Sequence, residues 1–139
     1  TAHVLFPRID EDYPATMSKR ILKGLLREEL GYQGVVITDD LEMGAVARRY
    51  STQTCVGESF SEGADILLIC NSSDKAIDSL TELRRAFEKG ELHQSQLLSS
   101  VERIRSLKRR FVGSFKNRDS ENLLQELFRS LPDRVRNTG

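Results

Sequence analysis

This sequence of 139 residues lacks a cysteine framework, long apolar runs and an excess of charge of either sign. Its two cysteines, Cys55 and Cys70, are too few and too far apart to suggest a disulfide framework or a CxxC metal site. We expect both to be small packing residues in a reducing compartment, and the protein to be cytoplasmic. The 21 Lys and Arg balance the 21 Asp and Glu, so charge indicates neither nucleic acid nor an anionic membrane as a partner. No apolar run approaches the ~18 residues of a membrane span.

What the sequence does contain is an alternation of apolar runs and amphipathic stretches, which predicts an α/β fold with a parallel sheet. Ser18 is expected to cap the first helix and Gly31 to end it. The predicted strands are Thr1–Phe6, Val35–Thr38 (buried on both faces) and Asp65–Asn71; the predicted helices are Lys19–Leu30, the start of Leu41–Tyr50, Thr52–Glu62, Lys75–Lys89, Ser95–Phe111 and Ser120–Leu131.

Three parallel strands alone would leave two sheet edges without the charges or prolines that usually protect an edge. A closed (β/α)8 barrel takes about 250 residues, and at least about 200, which is more than this chain has. We therefore interpret the chain as the last three β/α units of a (β/α)8 TIM barrel, a partial barrel, followed by a C-terminal helix. A missing N-terminal barrel segment is its expected partner, which also accounts for a sequence that opens in mid-strand.

Two adjacent carboxylates, Asp39 and Asp40, end the apolar run of the second predicted strand. Ligands of α/β folds lie at the carboxyl ends of parallel strands, so an acidic pair at this place indicates a functional site. The alternative is a solvated loop in which one Asp caps the next helix. Periodicity does not decide which acid faces inward, because a shift of one residue in strand phase exchanges them.

Two segments around these acids occur at a fixed spacing: Leu25-Leu26-Arg27-Glu28-Glu29 and, four residues later, Gly34-Val35-Val36-Ile37-Thr38-Asp39. Together they resemble the active-site signature of family 3 glycoside hydrolases. Within that family, Thr1–Val4, Tyr13–Thr16 with Ser18, and Thr38–Met43 look like the bacterial β-N-acetylglucosaminidases, or β-hexosaminidases, which release N-acetylglucosamine from peptidoglycan fragments. The resemblance covers residues 1–112, expected to be the C-terminal portion of the family's barrel. Residues 113–139, predicted as a linker and an amphipathic helix, lie outside it.

The resemblance implies a retaining glycoside hydrolase in which Asp39 is the catalytic nucleophile. An ionised nucleophile should not be crowded by a second charge, so Asp40 is expected to point away and to cap the following turn. The family's acid/base residue is a histidine on an earlier loop without a counterpart here, and neither His3 nor His93 inherits its role. His3 and Asn71 are candidate substrate-binding residues; a backbone-bonded imidazole and a loop cap are the alternatives.

The predicted partner is a carbohydrate substrate, and the proposed chemistry needs no metal or other cofactor. Three alternatives stay open. A β-glucosidase-like family member would act on another sugar. A receiver-like phosphoacceptor domain would bind Mg²⁺ through adjacent acids, but it requires a further strand-end acid and a lysine. A non-catalytic fragment would have no turnover, and we expect the 139-residue chain alone to be inactive because it lacks the proton donor.

Overall fold

Two short strands and five helical segments are found in residues 1–112, the part of the chain that this computed structural model describes. The predicted helix Ser120–Leu131 lies outside the described residues. No helix of residues 1–112 is long and apolar enough to cross a membrane. The strands are β1 (Ile37–Asp40) and β2 (Ile66–Leu68), and the helices are a π-helix (Arg20–Glu29), α1 (Gly44–Ala47), α2 (Thr52–Ser61), α3 (Ser73–Glu88) and α4 (Gln94–Val112).

Local signals fix the ends of the π-helix, as the sequence predicted. The Ser18 hydroxyl accepts a hydrogen bond from the Ile21 N–H at 3.2 Å, which satisfies one of the free donors of the first turn. Gly31 has a φ of +62°, the left-handed conformation that glycine adopts without strain. The hydrogen bonds of this helix join residues five apart in sequence, rather than the four of an α-helix: the Leu30 N–H donates to the Leu25 carbonyl at 2.9 Å. Apolar spacing alone does not distinguish this rarer geometry from an α-helix.

The two strands pair in parallel, and their register contains an irregularity. Ile37 lies opposite Ile66, whereas Asp40 lies opposite Leu68, so β1 has one more residue than β2 between these pairs. Within the irregularity the Thr38 hydroxyl accepts a hydrogen bond from the Leu68 N–H at 2.9 Å. A bulge of this kind bends a strand and re-aims its side chains, and it occurs here beside the acidic pair.

The strand predicted at Thr1–Phe6 is not formed, and this part of the three-strand prediction is wrong. The segment does run beside β1 in the parallel direction: the Thr1 amine donates to the Ile37 carbonyl at 2.7 Å, and His3 Nε2 bonds the Asp40 carbonyl at 2.9 Å. These contacts come from a terminal amine and a side chain rather than from successive backbone groups, so no ladder results. The described sheet therefore has two strands.

Among residues 1–112 one face of β1 is covered and the other is not, so the expected burial on both faces is not found in the described chain. Val36, just before the strand, is 5% exposed and packs with Leu22 of the π-helix, and Thr38 is 2% exposed. Ile37, between them, is 43% exposed. The other buried cluster lies around the helices that follow β1 and comprises Met17, Leu41, Val46, Cys55 and Val56.

A buried carboxylate fastens the amino end of the sheet. The Asp65 side chain has no exposed surface and accepts hydrogen bonds from Arg27 at 2.9 Å, the Val36 N–H at 2.8 Å, the Ser100 hydroxyl at 2.7 Å and Arg103 Nε at 2.9 Å. Burial by itself would raise the pKa of Asp65, but the hydrogen bonds from Arg103, Ser100 and Val36 hold it below its ordinary value. Asp65 thereby joins the π-helix, the start of β1 and α4, at the end of the sheet opposite the acidic pair.

Candidate active site

Asp39 lies in the last part of β1, where the register shifts, and its side chain is half-buried. Its Oδ1 accepts a hydrogen bond from the Asp40 N–H at 2.9 Å. Within residues 1–112 this is the single hydrogen bond of the Asp39 carboxylate. The other oxygen is therefore not engaged by a side chain or a backbone group of the described chain.

The neighbouring carboxylate of Asp40 is used to build the turn. Its Oδ1 accepts hydrogen bonds from the Glu42 N–H at 3.1 Å and from the Cys70 N–H at 3.2 Å. The first is a local turn contact of the kind that Asp commonly makes, and it confirms that Asp40 caps the turn after β1. The second joins this turn to the segment that follows β2. Asp40 is thus a structural acceptor at the edge of the sheet.

Glu42 connects the same two segments more firmly. Its side chain is 5% exposed, and Oε2 accepts hydrogen bonds from the Asn71 N–H at 2.7 Å and the Ser72 N–H at 2.9 Å. Lys75 Nζ lies 3.1 Å from Oε1. The Asn71 hydrogen bond is the main cause that lowers the pKa of Glu42; burial opposes it, and Lys75 and Ser72 lower the pKa further.

His3 is held at both ring nitrogens. Nε2 donates to the Asp40 carbonyl at 2.9 Å, because a carbonyl oxygen only accepts. Nδ1 lies 3.1 Å from the hydroxyl of Thr16, which is fully buried and also contacts the Thr1 hydroxyl at 3.0 Å. The ring is partly buried and fixes the backbone of Asp40. This is the backbone-bonded imidazole that the sequence left open as an alternative to sugar contact.

Asn71 and Cys70 follow β2 at the same edge, and both are exposed. Exposure of Cys70 corrects the expectation that both cysteines pack inside, since Cys55 alone is buried. Desolvation raises the pKa of the Cys70 thiol, and the charges of Asp40, Glu42 and Asp39 raise it further. All three carboxylates therefore contribute to the raised pKa of the Cys70 thiol.

The fold thus brings most of the residues singled out in the sequence to one edge of the sheet. Asp39, Asp40, His3 and the Asn71 backbone are linked there directly or through one partner. Sequence reasoning did not assign the role of Glu42. The spacing Asp-x-Glu after a strand end was its one local signal, and the partners of Glu42 lie about 30 residues further along the chain. Among the residues that the structure describes, no group of three His, Cys, Asp or Glu could hold a metal ion.

Comparison with known proteins agrees with this arrangement. The model of the glycosyl hydrolase family 3 N-terminal domain matches residues 1–107. A β-hexosaminidase A of Pseudoalteromonas piscicida is 38% identical over 125 residues, covering 78% of this chain and 21% of that protein. A β-hexosaminidase of Bordetella bronchiseptica is 36% identical over 111 residues, covering 80% of this chain and 29% of that protein. The chain thus spans less than a third of the length of these two curated relatives.

A solved structure gives the same result. The family 3 β-N-acetylglucosaminidase of a Paenibacillus species superposes with a TM-score of 0.79 at 38% identity, over 83% of this chain and 22% of that one. The family match over most of the chain excludes the receiver-like alternative, because it assigns the acidic strand end to a glycosidase domain of TIM-barrel type. The chain belongs to glycosyl hydrolase family 3, within the N-terminal domain of that family.

Proposed function

We propose that this chain carries the nucleophile of a retaining glycoside hydrolase that releases terminal β-N-acetylglucosamine, and that Asp39 is this nucleophile. The observation that carries the proposal is the division of roles among the acids after β1. Asp40 and Glu42 accept hydrogen bonds from the segment after β2, whereas Asp39 keeps a carboxylate oxygen without a partner in the described chain. A nucleophile needs such an oxygen, because it must reach the anomeric carbon.

The surroundings of Asp39 suit an ionised carboxylate. The Asp40 N–H donates to it, and the charges of Asp40 and Glu42 are offset by backbone N–H groups and by Lys75. In the proposed reaction Asp39 attacks the anomeric carbon and forms a glycosyl ester, which water then hydrolyses. The leaving oxygen requires a proton donor on the other side of the sugar.

We assign that donor to a part of the barrel outside this chain. His3 is unsuited to the role, because both of its ring nitrogens are held by protein groups. We propose that His3 positions the backbone of Asp40 and that any sugar contact is made by its ring edge. Asn71, exposed at the end of β2, is the proposed polar contact to the sugar.

The names of the relatives support N-acetylglucosamine as the sugar. We further propose that residues 1–112 form the C-terminal portion of the barrel. The uncovered face of Ile37 would then meet the missing N-terminal segment of the barrel. Peptidoglycan fragments are the proposed natural substrates, and the cytoplasm the proposed compartment.

The test of the nucleophile is Asp39→Asn in the complete gene product. Asn keeps the shape of the side chain and its acceptor oxygen but removes the attacking charge, so hydrolysis of an aryl N-acetylglucosaminide should fall by roughly 10⁴-fold or more, within the range seen when a reacting group is removed. A slow fluorosugar substrate should leave its sugar esterified to Asp39 of the unmodified enzyme, as located by peptide mass spectrometry.

Asp40→Asn is the matched control, since it removes the same charge one residue further along. Its Oδ1 remains an acceptor for the Glu42 and Cys70 N–H groups, so turnover should persist. Near-normal hydrolysis by Asp39→Asn, or a trapped sugar on Asp40, would refute the assignment.

A further inference from the structure

Glu42 is a buried acid that the proposed reaction does not use directly. It lies three residues after Asp39, and its carboxylate reaches across the edge of the sheet to the start of α3. Its hydrogen bonds to the Asn71 and Ser72 N–H groups, at 2.7 and 2.9 Å, are short and share one oxygen. Charge-assisted bonds of this kind are about twice as strong as neutral ones.

The place of Glu42 in the fold is well suited to its charge. Ser72 is the N-cap of α3, a helix of 16 residues, and the N-terminus of a helix favours a nearby anion. The Cys70 N–H bonds Asp40, so three successive backbone donors after β2 are held by the two carboxylates that follow Asp39. The position of Asn71 relative to the nucleophile is therefore set through Glu42.

We infer that Glu42 is a positioning residue for the reaction: it fixes the segment 70–72, and with it the proposed sugar contact of Asn71, against the turn that carries Asp39. The inference rests on the proposed function. The inference depends on the length of the Glu42 side chain, because it must be long enough for one oxygen to accept from both N–H groups. If Glu42 only stabilised α3, its substitution would lower stability without changing kcat/KM.

Two substitutions separate reach from charge. Glu42→Gln keeps the length and a carbonyl oxygen with two lone pairs, so it can still accept from both N–H groups. Glu42→Asp keeps the charge but withdraws the carboxylate by one carbon–carbon bond, about 1.5 Å. A displacement of 1 Å near a reacting centre can cost roughly 100-fold in rate. We expect Glu42→Asp to lose roughly 10- to 100-fold in kcat/KM and Glu42→Gln to stay within about threefold of the unmodified enzyme.

Glu62→Asp is the matched control. Glu62 pairs with Lys23 at 3.5 Å and its side chain is 14% exposed, but it lies at the end of α2, before β2. The control should lower the thermal midpoint as much as Glu42→Asp does, or less, without changing kcat/KM by more than about twofold, in line with a weak ion pair and one local hydrogen bond from the Ser61 hydroxyl. A loss of kcat/KM in Glu42→Asp alone is the result expected from positioning.

The outcomes are distinguishable when Asp39→Asn is assayed in parallel. If Asp39→Asn is inactive while Glu42→Asp matches the Glu62→Asp control in kcat/KM, the role of Glu42 is refuted and the nucleophile stands. Equal losses in Glu42→Asp and Glu42→Gln would refute positioning by reach, because Glu42→Gln keeps the length of the side chain and should then have kept kcat/KM. Turnover that survives Asp39→Asn would overturn the proposed function, and this inference with it.

Discussion

Replacing Asp65 with Asn should destabilise the fold far more than its position before a strand suggests. The substitution keeps the size of the side chain but removes a charge with no exposed surface. Arg27 and Arg103, with side chains 16% and 24% exposed, would lose their carboxylate partner. The NH2 group of the new amide would also face N–H or O–H donors, because both oxygens of Asp65 accept hydrogen bonds. The predicted damage is thus the isolation of two partly buried cations.

The structure sets the size of this effect. Breaking a buried ion pair by removing one partner costs about 3–5 kcal/mol. Arg27 retains the Tyr32 and Gly34 carbonyls as acceptors, at 2.8 and 2.7 Å, which places the expected cost near the lower limit. We therefore expect a loss of about 3 kcal/mol. Ser100→Ala, which removes one hydrogen bond to the same carboxylate, should cost about 1.5 kcal/mol, the lower end for a hydrogen bond to a charged group, because the carboxylate keeps its other donors.

Hydrogen exchange of the Val36 amide is the most direct assay. This N–H donates to Asp65, so its opening reports on the affected contact rather than on distant parts of the protein. A loss of about 3 kcal/mol corresponds to exchange that is faster by roughly 100-fold, since about 1.4 kcal/mol is tenfold. Thermal denaturation of the same variants, in the complete gene product, gives the global effect.

The pH dependence provides a second readout. The pKa of Asp65 is lower in the folded state than its ordinary value of 3.8, so the unfolded chain takes up this proton first as the pH falls. The stability that Asp65 contributes is complete well above pH 3.8 and is lost as the pH falls through the lower pKa of the folded state. Asp65→Asn should show a shallower acid transition. Exchange of Val36 within about threefold of the unmodified protein, or an equal effect of Ser100→Ala, would refute this account of the buried carboxylate.

Four further predictions concern the two thiols and the 139-residue chain on its own. Cys70 is exposed, but desolvation and the nearby carboxylates raise its pKa, so iodoacetamide should modify it more slowly than a model thiol at pH 8, and faster in Asp40→Asn; equal rates would contradict this. Cys55 should stay unmodified until the protein unfolds, because it is fully buried. The 139-residue chain alone leaves Ile37 43% and Phe6 47% exposed, so sedimentation should show aggregation, domain swapping or pairing rather than a monomer, and an aryl N-acetylglucosaminide should not be hydrolysed. A cooperatively unfolding monomer would contradict the first expectation, and turnover the second.

Elements whose signals are local could be predicted from the sequence alone. Ser18 caps the first helix, Gly31 takes the left-handed conformation after it, and helices form from Thr52 onwards, each as predicted. The end of an apolar run at Asp39 likewise located the edge of the sheet where the candidate site lies. These signals need no knowledge of distant residues, because the backbone of a turn or helix closes its hydrogen bonds within the same segment.

The structural roles of Asp40, Glu42 and Asp65 depend on contacts between distant parts of the chain. The bulge between Ile37 and Asp40 removes the strict alternation on which strand phase depends, so no count of residues along β1 could separate Asp39 from Asp40. Asp40 and Glu42 find their partners in residues 70–72, and Asp65 binds Arg103, 38 residues away. In a sequence, a carboxylate that attacks a substrate cannot be distinguished from one that holds a loop. The hydrogen-bond donors that the fold brings close to each carboxylate distinguish the two roles.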